Sequence, residues 1–471
     1  MHAQLPDLQG ANVTVMGLGL HGGGAGVTRF LHHRGAEVTV TDLKSREELC
    51  QSLTELEGLE ISFTLGEHRE SDFARADVVV VNPAVPLDSP YLDIAREHGA
   101  RLTSELNLFV TLCPGTVVGI TGSAGKSTTT SMIGNILEGD PETTCWVGGN
   151  LGGSLLSDVE NITSGDVVVL EISSFQLLHL DWIDWSPSIA VVTNVFPNHL
   201  DRHGTFEAYA RAKKHITRHQ GPGDLTVLNR EDDTLMNWTD DVHADLWTFS
   251  SKNDVAHGAW LENGKLRFRT DPDTTPVTVM TSDQVPVPGT FNLENTLAAI
   301  CVAKRLRVSD KYIREGIHSF RPLPHHLEEV EEFNGVTFVD DSVSTTPDST
   351  IAALKALDDQ RVAIILGGYD KGVSLDGLAD EVAERAASSV LMGETADRLK
   401  SLIASRAPSF ACPVKPNLPE AVECAYQQMS DGGGVVLLST ASASYDMFQN
   451  YQERGRRFQQ VAEALQTNVS S

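Results

Sequence analysis

The feature that most constrains this chain lies between Thr116 and Leu137. An apolar run, Thr-Val-Val-Gly-Ile-Thr, leads into Gly122-Ser123-Ala124-Gly125-Lys126-Ser127-Thr128, and a stretch with apolar residues at 132, 133, 136 and 137 follows. This pattern predicts a buried strand, a glycine turn and a helix. Glycines let backbone N–H groups face phosphate oxygens at a helix N-terminus. Lys126 is placed to neutralise β- and γ-phosphates, and the Ser127 hydroxyl to reach Mg²⁺. The turn is shorter than the usual phosphate-binding loop, which has a glycine where Ile120 stands. Residues Gly122 to Thr128 are therefore the candidate ATP loop, and a sheet of α/β type must surround it.

The 471 residues are enough for about three domains. A formal charge of −28 argues against nucleic acid or anionic membrane as the main partner. No apolar run approaches the ~18 residues of a membrane span. Met1 to Gly10 lacks a basic region followed by an apolar one, so no secretory signal is expected. The six cysteines are scattered without Cys-x-x-Cys spacing and read as reduced thiols, which predicts a cytoplasmic protein.

Three segments are expected. In residues 1–112, the strand Asn12–Met16 precedes Gly17-Leu18-Gly19-Leu20-His21-Gly22 and a helix to Arg34. A second strand ends at Asp42, twenty residues after Gly22. This is the Rossmann dinucleotide fingerprint: a glycine turn for a pyrophosphate and an acid for a ribose hydroxyl. A sugar nucleotide such as a uridine diphosphate fits the same physics. In residues 113–321, strands at 116–121, 167–172, 189–192 and 225–228 alternate with helical patterns and predict a parallel sheet. Residues 235–285 are polar and irregular, with strand-like pieces at 266–269 and 277–280. Residues 322–471 follow Arg321-Pro322-Leu323-Pro324 and carry four further short buried strands, which predicts a second Rossmann-like sheet at the C-terminus.

Several residues are candidates for chemistry. Glu171 ends a buried strand beside the loop, a position that suits Mg²⁺. His199 follows the next strand and is a candidate ligand for a second metal. Lys213 shares an apolar stripe with Phe206, Tyr209 and Ile216 in the expected helix Phe206–Arg218. Two readings of it stay open: a snorkelling surface lysine, or a buried amine of lowered pKa that takes up CO₂ as a metal-binding carbamate. In the last segment, Asp341 and Thr345, Lys371, and Ser444 and Tyr445 all follow strands, where an α/β sheet places its ligand.

The chain resembles the Mur ligase family, and the resemblance runs over nearly all of it. It is carried by Gly17 to Leu20, Thr121 to Thr128, Gly148-Gly149-Asn150, Leu170 to Leu177, Asn198 to Arg202, Tyr209 to Lys213, Asn292 and Asn295, Leu323-Pro324-His325, Leu366-Gly367-Gly368 and Leu437 to Ser444. Ser173-Ser174-Phe175-Gln176 and Arg454-Gly455 point to its glutamate-adding branch. The resemblance implies three domains, for a UDP-linked substrate, for ATP and for the incoming amino acid. It implies an ATP-dependent ligation of D-glutamate to UDP-N-acetylmuramoyl-L-alanine through an acyl phosphate, in peptidoglycan synthesis. Lys126, Asn292, Asn295 and Asp341 would lie around ATP. Ser127, Glu171, His199 and carbamylated Lys213 would hold two Mg²⁺ ions. Lys126, His199 and Lys213 would serve catalysis. Leu20, His21, Asp42, Asn150 and Ser173 would meet the UDP-muramoyl substrate, and Thr345, Lys371, Ser444, Tyr445 and Tyr451 the glutamate. A monomer is expected.

Departures from the family pattern are Ala124 for a usual asparagine, Asn198 for an aspartate, His326 for an arginine and Val343 for a lysine. The loss of a lysine at 343 leaves L-glutamate as an alternative substrate. An NAD-dependent dehydrogenase built on the Gly17 turn is the alternative from another class, but it leaves Lys126, Glu171 and the C-terminal segment without a role.

Overall fold

The computed structural model describes residues 8–19, 22–151 and 153–469. Leu20 and His21 lie outside the described residues. Among those described, three sheets follow one another along the chain. The first holds β1 (Asn12–Met16), β2 (Glu37–Asp42), β3 (Ser62–Leu65), β4 (Val78–Val81) and β5 (Arg101–Thr103), in the order β3-β2-β1-β4-β5 with every pairing parallel. Parallel strands are covered on both faces, which is why β4 is four consecutive valines, all buried. The strand order reverses between β1 and β4, the place where such sheets open a crevice.

The second sheet holds β6 (Thr116–Thr121), β7 (Cys145–Gly149), β8 (Val167–Glu171), β9 (Ile189–Val192), β10 (Leu225–Asn229), β11 (Asp245–Ser250), β12 (Gly258–Glu262), β13 (Lys265–Arg269) and β14 (Val277–Thr281), in the order β14-β13-β12-β11-β10-β9-β6-β8-β7. From β7 to β12 it is parallel, and β13 and β14 join antiparallel. Residues 235–285 are thus more regular than their polarity suggests. β11 and β12 extend the central sheet, and the helix Thr290–Arg305 covers the apolar face that β12 and β13 turn inward. Their pairing comes from neighbouring strands rather than from local alternation.

The third sheet holds β15 (Glu328–Phe333), β16 (Val336–Asp340), β17 (Val362–Leu366), β18 (Ser388–Leu391) and β19 (Gly434–Leu438), in the order β15-β16-β19-β17-β18, parallel except for β15. The C-terminal helix Tyr451–Val469 packs on β15 and β16, with Phe458 and Ala462 fully buried beneath it.

The first and second sheets meet through the helix Glu105–Leu112. Ser104 caps it by accepting from the Asn107 N–H, and the Asn107 side chain donates to the His179 carbonyl at 2.7 Å. No described helix is long and apolar enough to cross a membrane.

Candidate active site

A cavity of about 1080 Å³ opens where the C-terminal ends of strands from all three sheets converge. The Gly122–Thr128 turn follows β6 and starts the helix Lys126–Glu138. Gly125 has φ +80°, and a Cβ there would lie 2.3 Å from Asn295 Oδ1. A Cβ on Gly122 would lie 1.9 Å from Thr193 Oγ1. Both positions therefore require glycine. Lys126 curls back, its Nζ donating to the Ser123 carbonyl at 3.3 Å. Burial pulls its pKa down, and Glu171 opposes that.

Ala124 carries no polar side chain, and the turn is pinned from β9 instead. Asn194 Oδ1 accepts from the Ala124 N–H at 2.8 Å, its Nδ2 donates to the Ala124 carbonyl at 3.1 Å, and the Thr193 hydroxyl donates there at 2.6 Å.

Glu171, at the end of β8, is 2% exposed. Its Oε2 accepts from Ser127 Oγ at 2.7 Å and its Oε1 from Asn150 Nδ2 at 2.8 Å. Both donors are neutral, so no cationic side chain hydrogen-bonds this buried carboxyl group at the cavity wall. Such a group is costly unless a cation meets it. The donor set of a hydroxyl, a carboxylate and an amide oxygen fits Mg²⁺. Ser173 caps the next helix, Ser174–Leu180, in a capping box with Gln176.

Lys213 is 2% exposed, on the helix Phe206–Arg218. Its Nζ donates to the Gly122 carbonyl at 2.7 Å and to Thr121 Oγ1 at 3.3 Å, and lies 4.8 Å from the centre of the Tyr209 ring. Burial, with Lys126 nearby, holds its pKa well below the usual lysine value, while Glu171 pulls the other way. The amine is therefore internal rather than snorkelling, and its charged form is disfavoured. Tyr209 in turn meets the turn through Ser123, with the two hydroxyl oxygens 3.1 Å apart.

His199 has φ +53° and packs edge-on against Phe175, ring centroids 5.4 Å apart. Burial, then Lys371, Lys126, Lys213 and His203, push its pKa down to about 3. A histidine held neutral keeps a lone pair for a metal.

The third sheet closes the other side. Lys371 Nζ donates to the Thr345 carbonyl at 3.4 Å, and burial lowers its pKa to about 8. Asp341 is buried and raised to about 7 by burial. It accepts from Ser439 Oγ at 2.7 Å and from the Leu327 N–H at 3.3 Å. Asn295 donates to Asn292 Oδ1 at 3.2 Å and accepts from Thr129 Oγ1 at 3.2 Å. Ser444 is buried and Tyr445 is 69% exposed. Burial raises the Tyr451 phenol, and Glu171 adds to this. His326 Nδ1 lies 2.9 Å from the Pro324 carbonyl oxygen, and burial lowers its pKa.

The candidate residues from Gly122 to Thr128, with Asn150, Glu171, Ser173, His199, Lys213, Asn292, Asn295, Asp341, Thr345, Lys371, Ser444, Tyr445 and Tyr451, all line this one cavity. Asp42 does not. Its Oδ2 accepts from the Leu18 and Gly19 N–H groups at 2.8 and 3.1 Å, and its Oδ1 from Lys44 N at 2.9 Å. It shapes the glycine turn from within.

Some residues at the site escape motif reading. Asn194 does, although a polar residue directly after a buried strand is a usable signal. Arg454, already part of the family resemblance, is 1% exposed and lies behind the cavity wall, donating to Ser342 Oγ, Ser342 O and Ser442 O at 2.8–3.1 Å. It shares a helical stripe with Tyr451, Phe458 and Ala462, the same kind of signal that singles out Lys213. His203 stacks on Phe175 at 4.9 Å, and its spacing from His199, which caps the short helix that His203 ends, could have marked it.

Comparison with known proteins agrees with this architecture. Residues 11–104 match the family description Mur ligase MurD-like, N-terminal domain. Residues 120–303 match Mur ligase middle domain, and residues 326–442 match Mur ligase, glutamate ligase domain. A protein of Roseiflexus sp. (strain RS-1) named UDP-N-acetylmuramoylalanine–D-glutamate ligase is 42% identical over 472 residues, covering 98% of this chain and 100% of its own. One of the same name from Acetivibrio thermocellus is 37% identical over 476 residues, covering 99% and 100%. Among solved structures, the UDP-N-acetylmuramate-alanine ligase MurC of Thermotoga maritima superposes with TM-score 0.61 at 21% identity, covering 97% of this chain and 100% of that one. The MurF ligase of Thermotoga maritima in complex with ADP gives 0.57 at 18%, covering 91% and 95%. The structures share the fold, and the sequence relatives extend the likeness over the full length: the chain belongs to the Mur ligase family.

Proposed function

We propose that this chain is an ATP-dependent ligase that joins D-glutamate to UDP-N-acetylmuramoyl-L-alanine, in the cytoplasm and as a monomer. The observation that carries the reading is convergence. One cavity is lined by a triphosphate-type turn, by the buried carboxylate Glu171, by Lys371 of the third sheet and by the Gly17–Gly19 turn. The names of the full-length relatives support the substrates. In this reading residues 1–112 hold UDP, residues 113–321 hold ATP and residues 322–471 hold glutamate. Leu20 and His21 belong to the first set, and Asp42 serves it by shaping the Gly17–Gly19 turn.

A carboxylate is a poor electrophile, and phosphorylation gives it a leaving group. An alanyl carboxylate oxygen attacks the γ-phosphorus, and ADP leaves. The glutamate amine then attacks the acyl carbon and loses a proton, and phosphate departs as the amide forms. Lys126 and the N–H groups of the turn take up charge on the phosphates. Asn292, Asn295 and Asp341 surround the rest of the nucleotide. Asn150 and Ser173 orient the muramoyl end, while Lys371 pairs with a glutamate carboxylate beside Thr345, Ser444, Tyr445 and Tyr451. Burial between three sheets excludes water from the acyl phosphate. Two Mg²⁺ ions held by Ser127, Glu171, His199 and carbamylated Lys213 would offset repulsion between carboxylate and triphosphate.

Oxygen transfer tests the chemistry. With ¹⁸O in the alanyl carboxylate, label should appear in the released phosphate once per turnover. Phosphate free of label would refute the acyl phosphate.

A further inference from the structure

Glu105 has no part in the scheme above, yet its carboxyl lines the same cavity. It opens the helix Glu105–Leu112, which packs on the helix Gly23–His33 of the first sheet. On its other side is the loop after β7. Ser154 Oγ of that loop donates to Glu105 Oε1 and accepts from the Leu156 N–H at 3.1 Å. No described group donates to Oε2. A carboxyl oxygen thus faces the cavity unpaired, between the helix Gly23–His33 and the loop after β7, which also carries Asn150. Burial raises its pKa, and the Ser154 bond opposes that.

Position and charge together restrict what such an oxygen can meet. This step rests on the proposed function. The substrate spanning the cavity is anionic at both ends, as a diphosphate near Gly17 and a carboxylate near Glu171. A carboxylate beside either end would repel it. Between the ends lies an uncharged amino sugar that offers hydroxyl and amide N–H donors. We propose that Glu105 is a substrate-contacting residue whose free oxygen accepts a hydrogen bond from the sugar of the sugar nucleotide, with Ser154 fixing its rotamer. A site built to pair a donor rejects an analogue that lacks it, because its own polar group is then left unpaired. Glu105 accordingly sets preference for the sugar rather than for the nucleotide.

Calorimetric binding of UDP and of UDP-N-acetylmuramoyl-L-alanine to the full-length chain, without ATP or glutamate, tests this. In Glu105→Ala the sugar nucleotide should bind ~10–100-fold more weakly, as loss of a charged hydrogen-bond acceptor implies, with UDP affinity unchanged. Ser154→Ala should keep most of the preference, and undiminished ATP binding by Glu105→Ala shows that it folds. An unchanged preference in Glu105→Ala overturns the proposal. So does equal weakening of both ligands, which would mean that Glu105 only holds the loop. If the wild-type chain binds UDP but shows no preference for the sugar nucleotide, the proposed function itself fails.

Discussion

Replacing Lys213 by alanine separates two roles for a buried amine. In the structure Nζ donates to the Gly122 carbonyl at 2.7 Å and to Thr121 Oγ1 at 3.3 Å. If pinning the turn is its whole task, the variant leaves a buried acceptor unpaired. That costs about 1–3 kcal/mol of stability and weakens ATP binding, with turnover changed only a few-fold. If the neutral amine takes up CO₂ and the carbamate helps hold Mg²⁺ opposite Glu171, the loss falls on the transition state instead. Removing one preorganised charge-stabilising group lowers kcat by ~100–1000-fold, or ~2.7–4 kcal/mol. The space vacated by the side chain admits a small carboxylate, so formate or acetate should restore part of the activity. The assay is steady-state phosphate release with and without 0–100 mM-scale additions of these anions (roughly the range at which a weakly held ligand is captured), alongside thermal unfolding. Turnover within a few-fold of wild type in Lys213→Ala, without added carboxylate, refutes the carbamate.

Gly125→Ala places a Cβ 2.3 Å from Asn295 Oδ1 at φ +80°, so ATP affinity should fall by at least ~10-fold, with loss of about 1–3 kcal/mol of stability, read by nucleotide titration and thermal unfolding. Lys371→Met should raise KM for glutamate far more than KM for ATP. Because Lys371 loses its proton near pH 8, the wild-type KM for glutamate should climb as pH rises above that value; a flat profile to pH 9 contradicts its pairing with a carboxylate. His179 is buried, stacked on Trp182, lacks a partner for Nδ1, and is held at about 4 by burial against 6.5 when free. The unfolded chain therefore binds more protons between these values, so stability falls as pH drops from about 6.5 towards 4. His179→Phe should recover up to ~3 kcal/mol of that loss at low pH in denaturant titrations.

Much of the site is legible in the chain because its chemistry is local. The turn needs glycines at 122 and 125, and both carry the backbone or contacts that only glycine tolerates. Lys213 is marked by a charge within an apolar stripe, and the structure buries it. What stays hidden depends on pairing across distance. Asn194 substitutes for a side chain absent at Ala124 by reaching from another strand. Asp42 sits at the position expected of a ribose acid, yet two N–H groups of its own glycine turn occupy its Oδ2. β11 and β12 have too little alternation to be read alone, and exist because the sheet offers them an edge. Glu105 looks like an ordinary helix-opening acid until the loop carrying Ser154 closes over it.

In the proposed ligation ATP, a muramoyl carboxylate and D-glutamate meet in one cavity. Val343 lines that cavity where the family pattern has lysine, and Lys371 lines it too. The most direct measurement is product formation from UDP-N-acetylmuramoyl-L-alanine, ATP and Mg²⁺ with D-glutamate or L-glutamate, followed together with phosphate release. One phosphate per amide is expected with D-glutamate, and little product with L-glutamate. Amide from L-glutamate alone would contradict the assigned substrate, and no amide or phosphate from either would contradict the ligase itself.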